Sequence, residues 1–240
     1  MKPTAEVCLS PALLHLHELS GKIVVVIDIF RATSTITTAL YNGATKVIPV
    51  TDVELCKQLG ASTENCITAG ERGGKVIEGL MGGNSPLEYT KERVEGKTLI
   101  LTTTNGTKLL HMAKEASQIL IGSFLNLNRI SEYLLAENKD VVLACAGWMD
   151  QVNFEDSLFA GYLCKSLSFN FELLGDNALM TENLAQHTGS VTQTLSAARH
   201  FKRLQEFGFQ KDIEHCCTLN HQPVLPIFDK TTGEITLKDL

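Results

Sequence analysis

The amino-acid sequence predicts an α/β protein with a largely parallel sheet. Short, nearly continuous apolar runs alternate with amphipathic stretches over residues 1–150, and such runs are typical of strands covered on both faces. The chain has 240 residues, of which 44% are apolar and 20% charged, so it can form a large core. Because no linker rich in proline, serine or glycine interrupts it, we expect one compact unit over residues 1–240, with a candidate subdivision into 1–150 and 151–240.

Six apolar runs are predicted to be strands of this sheet. They lie at residues 22–28, 46–50, 66–70, 98–102, 118–121 and 140–145. The stretches between them are predicted to be helices, at residues 33–42, 53–59, 85–92, 105–114 and 125–137. This alternation favours parallel pairing, because each helix carries the chain back across the sheet.

The pattern changes after residue 153. Residues 154–167 and 191–207 are predicted to be helices, the second with Val191, Leu195, Ala198 and Leu204 on one stripe. Residues 224–237 are predicted to form two strands around a turn that ends at Gly233. We therefore expect a helical second half and a C-terminal hairpin.

Composition argues against several classes of protein. The net charge is −6 and the basic residues are scattered, which disfavours a nucleic-acid-binding surface. The longest aliphatic run, residues 23–27, is far shorter than the roughly 20 residues of a membrane span. The N-terminus shows no secretory signal, and the seven cysteines lack zinc-ligand spacing. We expect a cytoplasmic protein with reduced cysteines and no nucleic-acid or membrane partner.

Polar residues follow the first core strand, in the segment DIFRATST at residues 28–35. In open parallel sheets, ligands bind beyond the carboxyl ends of the strands. Asp28 ends the apolar strand, Arg31 follows three residues later, and Thr33 and Ser34 open a helix whose free N–H groups could bind phosphate or carboxylate. The alternative is a structural Asp–Arg pair beside an ordinary helix cap.

A glycine-rich stretch follows the third strand, with GERGG at residues 70–74 and GNSP at 83–86. So many glycines around Arg72, Asn84 and Ser85 suggest a backbone that closely approaches a ligand or moves. The alternative is a mobile surface loop in which Ser85 simply caps a helix that begins at Pro86.

A third candidate segment is TTTNGT at residues 102–107, after the fourth strand. Hydroxyl groups that lead into a helix start make a plausible anion cradle. The segment lacks the spacing of a P-loop, so it does not indicate nucleotide binding. The residues assigned to this candidate cradle are Thr104, Asn105, Gly106 and Thr107.

Acidic residues follow the sixth strand, where Glu155 and Asp156 come after the single tryptophan, Trp148. Together with Asp28 they could hold Mg²⁺, which takes one or two carboxylates plus waters and substrate oxygens. The alternative is that they only complement a helix dipole. The histidines show no metal-ligand spacing, although His15 and His17 are expected to alternate on a strand.

In order and spacing, these motifs resemble the 2-phosphosulfolactate phosphatase family across nearly the whole chain. The matching runs are VIDIFRATST at 26–35, GERGG at 70–74, GNSP at 83–86, TTTNGT at 102–107, and CAGW at 145–148 followed by Glu155 and Asp156. The resemblance implies a layered α/β/α fold and an Mg²⁺-dependent phosphatase that converts 2-phospho-3-sulfolactate to 3-sulfolactate and phosphate. It also implies a role in coenzyme M or sulfolactate biosynthesis, and a homodimer is a candidate assembly.

On this resemblance, the candidate residues divide into three groups. Asp28 and Arg31 are the expected catalytic residues, and Asp28, Glu155 and Asp156 the expected Mg²⁺ ligands. Arg31 and the helix start at Thr33 and Ser34 would stabilise the phosphoryl oxygens. The carboxylate and sulfonate would be held by the remaining residues, namely Arg72, Asn84, Ser85, Thr104, Asn105, Gly106 and Thr107.

Two questions stay open at the level of sequence. Asp28 could attack phosphorus or only bind the metal, because Phe30 stands where aspartate phosphatases of the haloacid dehalogenase class carry their second aspartate. The alternatives to the implied activity are a phosphatase for another 2-phospho acid and a non-catalytic anion-binding domain.

Overall fold

The computed structural model describes residues 2–73, 75–103 and 106–238, which form one mixed sheet covered by helices. All six predicted strands belong to this sheet. In chain order the described strands are β1 (Thr4–Cys8), β2 (Ile23–Ile27), β3 (Lys46–Val50), β4 (Cys66–Arg72), β5 (Lys75–Val76), β6 (Thr98–Thr102), β7 (Gln118–Gly122), β8 (Val141–Cys145), β9 (Glu172–Leu174), β10 (Pro226–Asp229) and β11 (Glu234–Leu237). Their order across the sheet is β5-β4-β6-β3-β11-β10-β7-β2-β8-β1-β9.

The helices follow the strands in alternation until β8 and then dominate the chain. They are α1 (Ala32–Tyr41), α2 (Val53–Ser62), α3 (Lys91–Val94), α4 (Gly106–Met112), α5 (Leu127–Glu137), α6 (Phe154–Leu167), α7 (Asp176–Gln186), α8 (Val191–Leu195), α9 (Arg199–Glu206) and α10 (Gln210–Cys216). Short 3-10 turns cover Pro11–Leu16, Pro86–Glu88 and Phe124–Asn126. The predicted helical second half is confirmed.

The predicted C-terminal hairpin is confirmed, and it lies in the middle of the sheet. Strand β10 pairs antiparallel with β7, and β11 pairs antiparallel with β3. On one side of the hairpin, β3, β6 and β4 run parallel; on the other, β7, β2, β8, β1 and β9 run parallel. The hairpin therefore joins two parallel groups into one mixed sheet.

Side chains of the central strands alternate between two apolar cores, which gives the α/β/α layering. Val25 lies level with Leu120 of β7 and Leu143 of β8, and all three face a core that includes residues of α5 and α6. The neighbouring residues Val24 and Val26 face the opposite core, which includes residues of α1 and α4. The predicted layered fold is therefore confirmed.

Tertiary contacts change two of the predicted helices. The helix expected at 191–207 is interrupted after Leu195, because the Ser196 hydroxyl donates to the Gln193 carbonyl oxygen at 2.7 Å and Ala198 is extended. The helix expected at 85–92 breaks at the buried Tyr89, whose carbonyl oxygen accepts a hydrogen bond from Asn42.

The strand expected around His15 and His17 is wrong. Ser10 caps a 3-10 turn over Pro11–Leu16 by accepting a hydrogen bond from the Ala12 N–H. His15 is exposed, and the Nδ1 atom of His17 lies 2.8 Å from a carboxylate oxygen of Glu6. The two rings therefore do not share a strand face.

Other sequence expectations concern cysteines and membrane spans. All seven cysteines are free thiols, and six of them are buried. Among the described residues, no helix combines the length and apolarity that crossing a bilayer requires.

Helix α6 packs closely against α7 at a glycine. A Cβ atom placed at Gly161 would lie 2.0 Å from the carbonyl oxygen of Thr181 and 3.2 Å from the Cβ of Ala185. The helix carries buried residues on most of its faces, so the contact cannot open without disturbing the core.

Gly161→Ala should lower the free energy of unfolding by about 2 kcal/mol or more, because overpacking forces the two helices apart. Gly189→Ala is the matched control, since nothing lies within 4 Å of a Cβ placed there, and it should change stability by about 0.5 kcal/mol or less. Urea denaturation monitored by circular dichroism measures both. Equal effects of the two substitutions would contradict this packing argument.

Candidate functional site

A cavity of about 240 Å³ lies where the carboxyl ends of both parallel groups meet. Asp28 follows β2, Gly147 follows β8, Thr103 follows β6 and Glu71 lies near the end of β4, and all four border it. A Cβ placed at Gly106, at the start of α4, would lie only 3.2 Å from Oδ2 of Asp28. The start of α4, which follows β6 of one group, thus closely approaches the residue that follows β2 of the other.

Part of the cavity lining comes from the helical second half of the chain. His200, Arg203 and Leu204 lie on one face of α9, and Phe207 follows directly after the helix. Their spacing, at positions i, i+3, i+4 and i+7, is that of a single helix face. None of them stood among the predicted site residues.

Asp28 projects a carboxylate into this cavity from a tightly held loop. The Asp28 N–H donates to Oγ1 of Thr33 at 3.1 Å, and the Thr33 hydroxyl and N–H donate to the Asp28 carbonyl oxygen at 2.9 and 3.0 Å. Burial, with smaller contributions from Glu155 and Glu71, raises the pKa of Asp28 to about 6, although His200 and the Ala32 N–H act in the opposite direction.

Arg31 borders the same cavity and is buried in an ion pair that the sequence did not reveal. The Arg31 guanidinium donates to one carboxylate oxygen of Asp212, on α10. The other carboxylate oxygen of Asp212 accepts a hydrogen bond from the Ser85 hydroxyl at 2.8 Å. The guanidinium carbon also lies 4.0 Å from the ring centroid of Phe209. The peptide bond between Phe30 and Arg31 is cis. The ion pair with Asp212 and the contact with the Phe209 ring fix the orientation of the Arg31 guanidinium.

Asp156 is buried and joins the loops that follow two strands. One carboxylate oxygen accepts the Ile29 N–H at 2.9 Å, and the other accepts the Gly147 N–H at 3.1 Å and the Asn153 side chain at 2.9 Å. Burial and the neighbouring carboxylates Asp28 and Glu155 raise its pKa. Asp156 is not among the residues that border the cavity, and both of its oxygens accept hydrogen bonds from protein N–H groups. It therefore joins the two loops, and its predicted role as a metal ligand stays a prediction.

Glu155 is also buried, and it holds a histidine. One of its oxygens, Oε1, lies 2.7 Å from Nδ1 of His200, and the other, Oε2, has no hydrogen-bond partner among the described residues. The His200 ring stacks on Trp148 with centroids 5.7 Å apart and meets Phe30 edge-on. The two predicted acidic residues therefore have different partners: Asp156 accepts hydrogen bonds from backbone N–H groups, and Glu155 orients the ring of His200.

The remaining predicted residues occupy three kinds of position. Asn84 borders the cavity, and its Oδ1 atom is buried without a hydrogen-bond partner among the described residues. Five residues are buried around the cavity loops: Thr33 and Ser34 in the first turn of α1, Gly106 and Thr107 in the first turn of α4, and Ser85 before the turn at Pro86. The Ser34 hydroxyl donates to the Ile29 carbonyl oxygen, and the Thr107 and Thr103 hydroxyls hydrogen-bond each other. Arg72 is exposed and hydrogen-bonds the Glu71 carbonyl oxygen, while Thr104 and Asn105 lie outside the described residues.

The donor atoms at this cavity fit a hard divalent cation. Asp28 and Glu71 bring carboxylates, and Asn84 brings its unpartnered amide oxygen. Mg²⁺ needs only one or two protein carboxylates because waters and substrate oxygens complete its shell. In the part of the chain that the structure describes, no three His, Cys, Asp or Glu side chains are grouped closely enough to hold one ion. Mg²⁺ does not need such a group, since waters and substrate oxygens supply its other ligands.

Asp212→Ala should destabilise the fold by about 3–5 kcal/mol, because it leaves the buried guanidinium of Arg31 without its partner. Glu54→Ala is the control, since it removes an exposed partner of Lys57, and it should cost about 1 kcal/mol or less. Chemical denaturation of both variants measures the difference. Comparable losses would show that the buried pair contributes no more than a surface pair.

Asp28→Asn should stabilise the chelator-treated protein above about pH 6. The ordinary carboxyl pKa is 3.8, so the unfolded chain ionises first, while the folded Asp28 keeps its proton up to about pH 6. Stability is therefore lost as pH rises between those values, by up to about 3 kcal/mol. The stability difference between the variant and the native chain, measured with urea in EDTA, should grow from about pH 4 to about pH 7.5. A constant difference would contradict the raised pKa.

Comparisons with known proteins agree with this architecture. A family model described as 2-phosphosulpholactate phosphatase matches residues 8–231. A protein of Clostridium perfringens named "Probable 2-phosphosulfolactate phosphatase" is 37% identical over 235 residues, covering 96% of this chain and 94% of the relative. A protein of Thermotoga petrophila with the same name is 43% identical over 195 residues, covering 81% of this chain and 83% of that relative. The chain belongs to the 2-phosphosulfolactate phosphatase family.

Proposed function

We propose that this protein is an Mg²⁺-dependent phosphatase that hydrolyses 2-phospho-3-sulfolactate to 3-sulfolactate and phosphate. The observation that carries the proposal is a cavity that Asp28, Arg31 and Arg203 all border, in a member of this family. Relatives from Clostridium and Thermotoga carry the name of this activity. In the cell, such an activity would serve coenzyme M or sulfolactate biosynthesis.

The charge of the substrate explains why the cations must be local. The substrate carries a phosphate, a carboxylate and a sulfonate, whereas the protein has a net charge of −6 and repels anions at long range. Arg31 is buried and oriented by Asp212 and Phe209, so its donors are positioned before substrate arrives. A fixed donor of this kind stabilises the charge that develops on the transferring phosphoryl group.

The proposed Mg²⁺ would be held by Asp28, with Glu71 and the amide oxygen of Asn84 as further oxygen donors at the same cavity. When bound, the ion polarises phosphoryl oxygens and lowers the charge that opposes attack. Asp28 has two roles open to it, as nucleophile or as ligand, and both require the ionised carboxylate. The Thr33 and Ser34 side chains act indirectly, because their hydroxyl groups fix the backbone of the loop that carries Asp28.

Protonation of the leaving alkoxide is assigned to His200. Its ring borders the cavity, and its Nδ1–H is held by the buried carboxylate of Glu155, which stabilises the imidazolium. In that form Nε2 carries the second proton and would donate it to the leaving alkoxide, leaving a neutral ring. Stacking on Trp148 fixes the plane of the ring. This arrangement supplies the proton donor that Phe30, in its position after Asp28, cannot provide.

Two alternative functions can be distinguished from this proposal by assaying phosphate release. The same cavity would also accept another 2-phospho acid, because carboxylate and phosphate are common to that class. A non-catalytic domain would bind the anions without releasing phosphate. The two alternatives differ from the proposal in substrate preference and in turnover, respectively.

Phosphate release from 2-phosphosulfolactate should stop in EDTA and return when Mg²⁺ is restored. The native chain should also prefer this substrate, in kcat/KM, over 2-phospholactate and phosphoglycolate, since only the first offers the sulfonate. A continuous phosphate assay with the three substrates, before and after chelation, measures both outcomes. Activity that survives exhaustive chelation would remove the metal from the mechanism, and preference for an unsulfonated acid would point to a different physiological substrate.

A further inference from the structure

The wall of the cavity contains a second arginine, Arg203, whose surroundings differ from those of Arg31. Arg31 is neutralised by Asp212, but no described carboxylate forms an ion pair with Arg203. Its guanidinium carbon lies 4.9 Å from the ring centroid of Phe207 and 5.8 Å from that of Trp148. The exposed Arg203 guanidinium therefore contacts two aromatic rings and forms no ion pair with a described carboxylate.

We propose that Arg203 binds the sulfonate of the substrate and so determines the preference for sulfonated over unsulfonated 2-phospho acids. This inference rests on the proposed function, because it assigns one acid group of that substrate to one residue. A guanidinium presents paired donors that match the oxygens of a planar or tetrahedral anion. Arg203 borders the cavity from α9, whereas Asp28 and Arg31 follow a strand, so we assign Arg203 to a group of the substrate other than the phosphate.

The surroundings of Arg203 favour sulfonate over carboxylate. Trp148, Leu204 and Phe207 border the cavity with apolar surface, and Phe207 is partly exposed to solvent. An anion that pairs with Arg203 there loses part of its hydration shell, which costs most for a strongly hydrated anion. A sulfonate spreads its charge over three oxygens and is less strongly hydrated than a carboxylate. A stacked guanidinium is likewise weakly hydrated, so the two ions lose little hydration when they pair.

The chain provides a closely matched control in Arg199, one helical turn before Arg203 on α9. Its guanidinium carbon lies 4.9 Å from the Trp148 ring centroid, so it also stacks on this tryptophan. Arg199 borders a neighbouring groove with Glu155 and Asn153 and does not border the cavity that contains Asp28. Substituting Arg199 removes the same charge and a similar stacking contact with Trp148 but removes no side chain that borders the cavity.

The test compares Arg203→Ala and Arg199→Ala on three substrates: 2-phosphosulfolactate, 2-phospholactate, which lacks the sulfonate, and 2-phosphooxyethanesulfonate, which lacks the carboxylate. Arg203→Ala should lower kcat/KM about 10- to 100-fold for the two sulfonates, mostly through KM, and leave 2-phospholactate within about threefold. Arg199→Ala should leave all three within about threefold. Three outcomes would overturn the assignment: equal losses on all three substrates, no loss on any, or a loss on 2-phosphosulfolactate and 2-phospholactate with none on 2-phosphooxyethanesulfonate.

Calorimetric binding of the product 3-sulfolactate separates this inference from the proposed function. If the native chain releases no phosphate from 2-phosphosulfolactate, the proposed function fails. In that case, binding of 3-sulfolactate that is tighter than binding of lactate and lost in Arg203→Ala would still support the subsite. Binding that is unchanged in Arg203→Ala, or absent in the native chain, would overturn it.

Discussion

The buried carboxylate of Asp156 is the contact on which the geometry of the site depends. Its two oxygens accept hydrogen bonds from the N–H groups of Ile29 and Gly147, and so join the loops that follow β2 and β8 to the start of α6. Those loops carry Asp28 and Trp148 to the cavity. Without this carboxylate, buried N–H groups in both loops would lose their acceptors, at a cost of about 1–3 kcal/mol each. One side chain thus sets the positions of residues on two strands.

A second constraint comes from the way the cavity is divided between distant parts of the chain. Strand ends supply Asp28 and the loop that carries Arg31, whereas α9 and α10 supply His200, Arg203 and Asp212. Arg31 and Asp212 are separated by 181 positions yet form one buried pair. Because Asp212 offsets the charge of Arg31, that arginine contributes oriented donors more than net charge. The accessible positive charge at the cavity comes from Arg203.

The fold could be predicted because its signals are local. Runs such as residues 23–27 are apolar throughout, and the polar segment that follows them was correctly expected at the edge where ligands bind. The site was less predictable, since its pairings are tertiary. Nothing near Asp156 in the sequence indicates that its oxygens bind the Ile29 and Gly147 N–H groups, and nothing near His200 indicates Glu155. The edge strands β5 and β9 were missed because they have only two and three residues, and β1, next to β9, was missed because it is only partly apolar.

The central hairpin is the last part of the sheet to be synthesised. Strands β10 and β11 lie close to the C-terminus, yet they separate β3 from β7 in the finished sheet. During synthesis, both parallel groups emerge from the ribosome before the segment that joins them, and each exposes an unpaired edge until then. Since the cavity lies between the ends of those groups, pairing of the hairpin with β3 and β7 is the step that brings its two sides together. A chain interrupted before β10 would leave the edges of β3 and β7 unpaired and would be prone to edge-to-edge association.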